Sequence, residues 1–338
     1  MLNKIKHLLS NYMYHHSFFW RYYYDNKADR FLFHKAYNTK KKSKKKNTQN
    51  VIIIFNGIIS LNNIITHGGL ADRLKGIISI YKVCKEQNRD FKILHISPYL
   101  LSQYLRPNIY PWNINQNEVC YDLKYTSPHI IDTISIKDEK IYYYKRIKRL
   151  LQEKKEIHIF SNVCIVNDDE FSVLYNELFR PTPSLENEIN KNLNKIGCAY
   201  ISCSFRFTHL LGDPIDEYMP ELSDNEKATL LQKMENTINE IHLRFPNYKV
   251  LINSDSEKFL SYMRMKRHEY IYITKGIPVH IDQNNNASQL SYLKTFCDFY
   301  LISKASHIFL IKTEQMYNSA FPKYAALINN KPITIINV

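Results

Sequence analysis

The sequence lacks the residue patterns of several common protein classes. Its six cysteines include no Cys-x-x-Cys pair and its thirteen histidines include no His-x-x-x-His spacing, so neither a zinc site nor a disulfide framework is readable. No two aspartates are separated by one residue, which removes the Asp-x-Asp pair that often holds a divalent metal against a nucleotide diphosphate. Apolar runs such as Val51–Phe55 fall short of the roughly 18 residues of a transmembrane helix. We therefore expect no metal, no cofactor and reduced cysteines.

Glycine is also scarce, with seven in 338 residues, yet three of the seven lie close together at Gly68, Gly69 and Gly76. Glycine permits positive φ and a close approach of the backbone, so a Gly68-Gly69 loop that opens into a helix can present main-chain N–H groups to a ligand. A plain turn followed by tight helix packing at Gly76 would produce the same cluster. Both interpretations stay open at this stage.

The net charge of +14 is concentrated at one end of the chain. Residues 1–46 contain twelve Lys or Arg against Asp25 and Asp29, whereas the remaining residues are nearly neutral. The lysine run over residues 40–46 is typical of a solvated segment, and the aromatic residues 18–24 before it favour contact with an anionic membrane surface. The neutral body argues against nucleic acid as a partner. With no clean apolar segment of a secretory signal at the start, we expect a cytoplasmic protein, peripheral at the inner face of a membrane.

The order of the predicted elements indicates the fold class. Val51–Phe55 predicts a strand buried on both faces, and the helical stripe that begins at Leu70 leads to a second strand over residues 91–96. Strands and helices alternate again from Gly197 onward. This pattern predicts an α/β protein with two Rossmann-like, parallel-sheet domains facing a cleft. The further expected strands are 157–160, 162–166, 199–205, 248–253, 270–273 and 306–311, and the further expected helices are 184–195, 225–245, 257–263, 288–303 and 313–329.

Two prolines suggest where the halves meet. Pro181-Thr-Pro183, followed by a polar helix, predicts a hinge. We expect a basic and aromatic N-terminal extension over residues 1–50, a first Rossmann-like domain over residues 51–195 and a second over residues 196–338.

Polar residues follow three predicted strands of the second half. Arg206 comes after the first, Ser254-Asp255-Ser256 after the second and Thr313 after the third. In parallel sheets ligands bind beyond the carboxyl ends of the strands, and the planar donor fork of arginine matches a phosphate. The sequence therefore predicts a diphosphate site around Arg206.

Structural roles explain the same residues. Arg206 could pair with Asp213 or Asp216, Asp255 could cap the helix that follows it, and Ser319 could be buried packing polarity. The sequence alone does not decide between these roles and ligand binding.

Four short segments, taken in order, resemble one enzyme superfamily. They are Gly68-Gly-Leu-Ala-Asp-Arg-Leu-Lys-Gly-Ile77, Ile201-Ser-Cys-Ser-Phe-Arg206 with Gly212-Asp213, Leu251-Ile-Asn-Ser-Asp-Ser256, and Asp298-Phe-Tyr-Leu-Ile-Ser303 with Asn318-Ser-Ala-Phe321. Together they resemble the motifs of the GDP-fucose-dependent fucosyltransferases, which include O-, α1,2- and α1,6-transferring members. Two departures stand out, because Ser204 replaces the motif histidine and several residues separate Arg206 from Gly212-Asp213.

The resemblance implies a GT-B fold, a metal-independent inverting mechanism and a set of site residues. Arg206 would stabilise the leaving diphosphate together with Ser319 and the N–H groups of Ala320 and Phe321, and Asp255 would hold the guanine or ribose. Gly68, Gly69, Asp72 and Arg73 would border donor and acceptor. The catalytic set is then Arg206, Asp72 and Asp213, and the candidates for the general base are Asp72, His209, Asp213 and Glu217.

These expectations combine into one functional hypothesis. The chain would transfer fucose from GDP-fucose to a glycan or lipid-linked oligosaccharide in the synthesis of a bacterial surface polysaccharide. The alternatives are a GT-B transferase with a different nucleotide sugar, a basic nucleic-acid-binding protein that acts through residues 1–46, and a non-catalytic scaffold with a degenerate site.

Overall fold

Runs of β-branched and aromatic residues form the buried strands of a computed structural model, which describes Tyr37 and residues 49–56, 68–131, 139–214, 220–279, 281 and 287–338. The chain divides into two compact units. Among the described residues, unit 1 comprises Tyr37 and residues 49–56, 72–97, 111–131 and 139–166. Unit 2 comprises residues 68–71, 98–110, 167–214, 220–279, 281 and 287–338. Most of the N-terminal extension, including the lysine run, lies outside the described residues.

Unit 1 is built on a four-stranded parallel sheet with the strand order β2-β1-β5-β4. All five residues of β1 are buried, as expected for a strand covered on both faces. The strands are β1 (Val51–Phe55), β2 (Phe91–His95), β4 (Thr126–Ile131) and β5 (Glu156–Ser161). The helices are α2 (Glu139–Leu150) and α1 (Leu70–Glu86), of which the first two residues are grouped with unit 2. The strands expected at residues 51–55 and 157–160 are confirmed, whereas residues 162–166 form no strand.

Unit 2 contains a five-stranded parallel sheet with the order β11-β10-β7-β8-β9 and a short antiparallel pair, β3-β6. Its strands are β3 (Leu105–Pro107), β6 (Phe179–Pro181), β7 (Tyr200–Phe205), β8 (Lys249–Ser254), β9 (Ile271–Tyr272), β10 (Ile308–Lys312) and β11 (Thr334–Asn337). Its helices are α3 (Asp168–Leu178), α4 (Pro183–Ile196), α5 (Asp224–Arg244), α6 (Glu257–Met265), α7 (Gln289–Lys304) and α8 (Phe321–Ile328).

Helix α4 explains why the division into units differs from the expected boundary at residues 195 and 196. Asn192, on the buried face of α4, donates a hydrogen bond through Nδ2 to Cys297 Sγ at 3.6 Å and accepts one at Oδ1 from the Tyr272 hydroxyl at 2.6 Å. These contacts fasten α4 to α7 and β9, so the helix groups with unit 2. The prolines before α4 fit this position, because Pro183 opens the helix and Thr182 caps it.

The helix expected over residues 313–329 is the largest error in the predicted elements of unit 2. Residues 313–320 form no helix, and α8 begins only at Phe321. Proline has no N–H to donate and is tolerated in the first turn of a helix, which is where Pro322 lies. The turn before α8 leaves polar backbone groups at the carboxyl end of β10.

One hydrophobic core of unit 2 packs against one face of its sheet. Ile201, Cys203 and Phe205 of β7 point into an apolar cluster with residues of β8, α5 and α6. Alternate residues of a strand face opposite sides, so Ser202 and Ser204 lie on the other face. That second face carries the polar groups from which the candidate site is built.

A series of buried side-chain hydrogen bonds links Tyr37 to the sheet of unit 1. The Tyr37 hydroxyl lies 2.8 Å from His158 Nδ1, and His158 Nε2 lies 2.9 Å from Glu156 Oε1. Burial lowers the pKa of His158, although Glu156 acts in the opposite direction. These hydrogen bonds hold Tyr37, a residue of the N-terminal extension, against β5.

Gly76 owes its identity to close packing, as one of the two sequence interpretations predicted. A Cβ atom there would lie 2.2 Å from the carbonyl oxygen of Ser161 at the end of β5. We expect Gly76→Ala to lower the free energy of unfolding by about 1–3 kcal/mol in a urea titration, because backbone atoms must move to make room. Gly69→Ala is the matched control, since a Cβ at Gly69 meets no described atom within 4 Å. Equal stability of the two variants would contradict this account of Gly76.

Candidate functional site

The candidate site lies where the strand order of unit 2 reverses. From β7 the chain proceeds outward to β8 and β9, and it then returns to the other side of β7 to form β10 and β11. Loops leave β7 in one direction and β10 in the other at such a reversal, so a crevice opens beyond their carboxyl ends. Arg206 follows β7 directly and Thr313 follows β10 directly.

Arg206 and Asp255 form an ion pair at this position. Arg206 Nη1 lies 3.4 Å from Asp255 Oδ2, and the two side chains are 18% and 6% exposed. In the part of the chain that the structure describes, this carboxylate is the only polar partner of the Arg206 side chain. A guanidinium has five N–H donors, so most of its fork stays available to an oxyanion.

Asp255 also holds the backbone that follows β7. Its Oδ1 accepts a hydrogen bond from the Phe207 N–H at 2.9 Å, and its Oδ2 accepts one from the Thr208 N–H at 2.9 Å. Burial raises the pKa of Asp255, while Arg206 and these two N–H groups oppose the shift. In the structure Asp255 thus contacts Arg206 and the two residues that follow it, and its expected contact with the guanine or ribose stays a prediction.

Asp213, which the sequence places in the catalytic set, contacts the start of α6. Its Oδ1 accepts a hydrogen bond from Ser256 Oγ at 2.6 Å, and its Oδ2 accepts one from the Lys258 N–H at 2.9 Å. The carboxylate therefore satisfies the start of α6, where a negative charge complements the helix dipole. Ser256 is the N-cap of that helix, so Asp255 does not cap it. Each oxygen of Asp213 keeps a second lone pair, so its role as a general base stays a prediction.

Gly212 allows this loop to close on α6. Its φ is +79°, and a Cβ would lie 2.3 Å from Glu221 Oε1 and 2.9 Å from Lys258 Nζ. The backbone conformation favours glycine, whereas the Glu221 and Lys258 side chains could move away from a Cβ atom. The Gly212-Asp213 pair of the sequence motif thus has a structural explanation.

Three buried oxygen atoms near the carboxyl edge of this sheet have no hydrogen-bond partner among the described residues. They are Ser204 Oγ, Asn253 Oδ1 and Thr313 Oγ1. Ser204 pairs in register with Asn253 on one side and with Leu310 on the other, so the polar side chains come from adjacent strands. Leaving a buried polar atom unsatisfied costs about 1–3 kcal/mol, which a polar ligand would offset. The sequence analysis did not identify this cluster, although polar residues that alternate with apolar ones along these strands could have indicated it.

The loop before α8 reaches the same position. The Tyr317 N–H donates a hydrogen bond to the Arg206 carbonyl oxygen at 3.2 Å, which ties the loop to the residue after β7. Ser319 Oγ accepts a hydrogen bond from the Phe321 N–H at 3.3 Å, so that N–H already has a partner. The phosphate contacts expected of Ser319, Ala320 and Phe321 stay predictions, and a phosphate at the Phe321 N–H would have to replace or share its hydrogen bond to Ser319.

Asp298, another residue of the resemblance, lies in a buried network of its own. Lys294 Nζ donates a hydrogen bond to Asp298 Oδ2 at 2.7 Å, and the Thr274 hydroxyl donates one to Asp298 Oδ1 at 2.6 Å. Lys294 Nζ also contacts Thr274 Oγ1. The charge of Asp298 is thus compensated within unit 2.

The remaining predicted residues lie near the start of α1. Gly68 has a φ of +65°, so its backbone adopts the conformation that glycine favours. Asp72, in the first turn of α1, is 41% exposed and pairs with Lys75 Nζ at 2.5 Å. Asp72 is therefore accessible, as a general base must be.

Arg73 is mostly buried within unit 1. Its Nη1 lies 3.3 Å from His95 Nε2 and donates a hydrogen bond to the Ser97 carbonyl oxygen at 2.9 Å, and its guanidinium lies over the Phe55 ring. These contacts join α1 to the carboxyl ends of β1 and β2. The structure gives Arg73 a clear structural role there, and its expected contact with the donor stays a prediction.

Of the other candidate bases, His209 is described and Glu217 is not. His209 Nδ1 lies 3.2 Å from the Pro214 carbonyl oxygen, and His209 Nε2 lies 3.8 Å from Glu221 Oε2. Glu217 and Asp216 fall outside the described residues. Within the described ranges, no group of three or more His, Cys, Asp or Glu residues gathers as metal ligands.

Comparison with solved structures identifies the fold. The structure of the α-1,6-fucosyltransferase NodZ soaked with GDP-fucose matches with a TM-score of 0.52 and 12% identity, covering 83% of this chain and 92% of NodZ. A mutant FUT1 of Arabidopsis thaliana in complex with GDP matches with a TM-score of 0.54 and 10% identity, covering 90% of this chain and 74% of FUT1. The fold is that of these GT-B fucosyltransferases. The expected fold class is confirmed, with two Rossmann-like units of parallel strands.

Other crystals of the same bacterial enzyme give a similar result. NodZ from Bradyrhizobium matches with a TM-score of 0.51 and 12% identity, and the match covers 84% of this chain and 94% of NodZ. No protein-family model and no curated protein matches the sequence. At this low identity the likeness establishes the fold, and the activity must be argued from the residues.

Proposed function

We propose that this protein is a glycosyltransferase that transfers fucose from GDP-fucose to a glycan acceptor. The observation that carries the proposal is the partly exposed Arg206 guanidinium at the strand-order reversal of a fucosyltransferase fold. Solved structures with this fold contain GDP-fucose or GDP. The unpartnered oxygens of Ser204, Asn253 and Thr313 support a polar ligand at the same edge of the sheet.

Arg206 would act on the leaving group. As the bond between the anomeric carbon and the phosphate oxygen breaks, its electron pair moves to the β-phosphate of GDP. A preorganised guanidinium stabilises that developing charge, and one such donor is worth about 2.7–4 kcal/mol when water is excluded. Asp255 keeps the fork in place through the two N–H groups that follow Arg206. The reaction would then need no metal ion, and attack from the opposite side would invert the anomeric carbon.

The acceptor hydroxyl loses a proton as its oxygen bonds to the anomeric carbon, and a general base must take that proton. Asp72, His209 and Asp213 are the described candidates. Asp213 already accepts hydrogen bonds from Ser256 and from the Lys258 N–H at the start of α6. Asp72 has the exposure that contact with an acceptor requires.

For the acceptor, the biosynthetic pathway and the location of the enzyme, we propose what the sequence led us to expect. The acceptor would be a glycan or lipid-linked oligosaccharide in the synthesis of a bacterial surface polysaccharide, with the enzyme at the cytoplasmic face of the membrane. The basic residues 1–46 would contribute to membrane contact. Among the described residues, no helix is both long and apolar enough to cross a bilayer.

Nucleotide binding tests the identity of the donor. We expect GDP to raise the melting temperature of the full chain, because a ligand at about 100 times its Kd stabilises the folded state by about 2.7 kcal/mol. UDP, ADP and CMP at the same concentration should cause no shift, and Arg206→Ala should reduce the response to GDP. A response to UDP, ADP or CMP without one to GDP would favour a GT-B transferase with another donor. No response to any nucleotide would contradict the proposal.

A second experiment measures the release of GDP from GDP-fucose in the absence of an acceptor. It is performed with and without a chelator. We expect the same rate in both conditions, because Arg206 takes the role of a cation. Loss of the reaction on chelation, and its recovery with a divalent metal, would contradict metal independence while leaving the choice of donor intact.

A further inference from the structure

One helix surface of unit 1 has no role in the proposed chemistry. Helix α2 buries Tyr143, Arg146, Ile147 and Leu150 against the unit. Ile141, Lys145, Lys148 and Arg149 are exposed on the opposite side. Spacings of four, seven and eight residues along a helix place side chains on one face, so these four residues form a continuous stripe. This stripe is called the α2 outer face below.

The helix that carries the stripe is firmly attached to its unit. The Tyr144 hydroxyl donates a hydrogen bond to Glu86 Oε2 of α1 at 2.7 Å, and the buried Arg146 donates one through Nη2 to the Ile130 carbonyl oxygen at 3.0 Å. At the start of the helix, Lys140 Nζ donates a hydrogen bond to the Val166 carbonyl oxygen at 2.9 Å. The α2 outer face is therefore presented on a fixed element.

The charge of this helix has one sign. Helix α2 has five Lys or Arg residues and one acidic residue, whereas α5 has three against four acidic residues. Lys145, Lys148 and Arg149 form no ion pair with any described residue. Like charges three and four residues apart on a helix repel one another, so the arrangement does not stabilise the helix. A negatively charged partner would relieve that repulsion.

Ile141 distinguishes between the possible anionic partners. Its side chain is 56% exposed and lies one helical turn before Lys145, so an apolar group and a row of cations share one surface. A bilayer interface accepts both, because aliphatic side chains enter the acyl boundary while Lys and Arg contact anionic headgroups. The phosphate backbone of a nucleic acid offers no comparable place for Ile141. We propose that the α2 outer face docks unit 1 onto an anionic lipid bilayer.

Vesicle binding by the full chain tests this surface. Binding is measured on vesicles of about 30% phosphatidylglycerol in phosphatidylcholine and on pure phosphatidylcholine, at low and high salt. We expect the triple variant Lys145→Ala, Lys148→Ala, Arg149→Ala to bind the anionic vesicles about 100-fold more weakly. The effect should shrink at high salt, because salt screens exposed charges.

The control removes the same charge from unit 2, through Lys195→Ala, Lys233→Ala and Lys304→Ala, all exposed residues. Residues 1–46 stay in every variant, so their contribution cancels in the comparison. A loss in the α2 triple variant no larger than the loss in this control would overturn the proposal. Circular dichroism and unchanged binding of GDP verify that both variants fold.

Ile141→Ser separates a bilayer from other polyanions. We expect this variant to bind the anionic vesicles several-fold more weakly and to bind a single-stranded RNA homopolymer as the unchanged chain does. Undiminished binding to vesicles would overturn the bilayer assignment. If the α2 triple variant then also loses the RNA, the surface is a site for nucleic acid.

Discussion

Replacement of Arg206 by alanine should lower kcat for transfer from GDP-fucose by about 100- to 1000-fold. At the strand-order reversal the Arg206 guanidinium combines positive charge, partial exposure and an ion pair with Asp255 that orients it. Since its effect falls on a charge that develops as the bond breaks, kcat and kcat/KM should fall together. Steady-state kinetics with purified full-length protein measure both.

Two further variants make this result specific. Arg206→Lys keeps the charge and loses the planar fork, so it should recover only part of the rate. Arg244→Ala removes an exposed arginine at the end of α5 and should leave kcat unchanged. If Arg206→Ala and Arg244→Ala transfer fucose equally well, Arg206 does not stabilise the leaving group.

Replacement of Asp255 by alanine should affect both activity and folding. The carboxylate accepts two backbone hydrogen bonds and faces Arg206, and its removal leaves two N–H groups and a guanidinium without their partner. We expect a loss of about 2–5 kcal/mol in the free energy of unfolding, measured by urea titration, together with a large fall in kcat.

Asp255→Asn keeps the shape of the side chain and can still accept one hydrogen bond through its amide oxygen. It should recover most of the stability and less of the activity, because the charge opposite Arg206 is lost. The double variant Arg206→Ala, Asp255→Asn should be little slower than Arg206→Ala alone, since Asp255 acts through Arg206. Additive losses in kcat would show instead that Asp255 contacts the donor directly.

Strong hydrophobic patterns were predicted well from the sequence. The strands β1 and β7 are apolar runs or regular alternations, and their carboxyl ends lie where they were expected. Helix α2 had no such pattern, because its buried face contains Arg146 and Tyr143 beside two aliphatic residues. Strands β3 and β6 have three residues each and both end in proline, so their pairing could not be inferred from propensity.

The position of Arg206 followed from the sequence, whereas its partner did not. Placing a residue at the end of a strand requires only the apolar pattern before it. The sequence offered Asp213 and Asp216 as partners of Arg206, whereas the structure pairs Arg206 with Asp255. That pairing depends on the register of β7 with β8, in which Phe205 pairs with Ser254. The hydrogen bonds of Asp213 to the start of α6 depend on the path of the loop between Arg206 and Asp213, which hydrophobic periodicity does not determine.

The separate anchoring of the two ends of that loop explains how the motif around Arg206 can vary in length. One end is held by Asp255 at Phe207 and Thr208, and the other is held at Asp213 by Ser256 and Lys258. Insertions between two such fixed points lengthen a surface loop at little entropic cost, and they leave the geometry at each end of the loop unchanged. Relatives with a shorter or longer connection could therefore keep the arginine in the same place, and alignments that demand uniform spacing would overlook them.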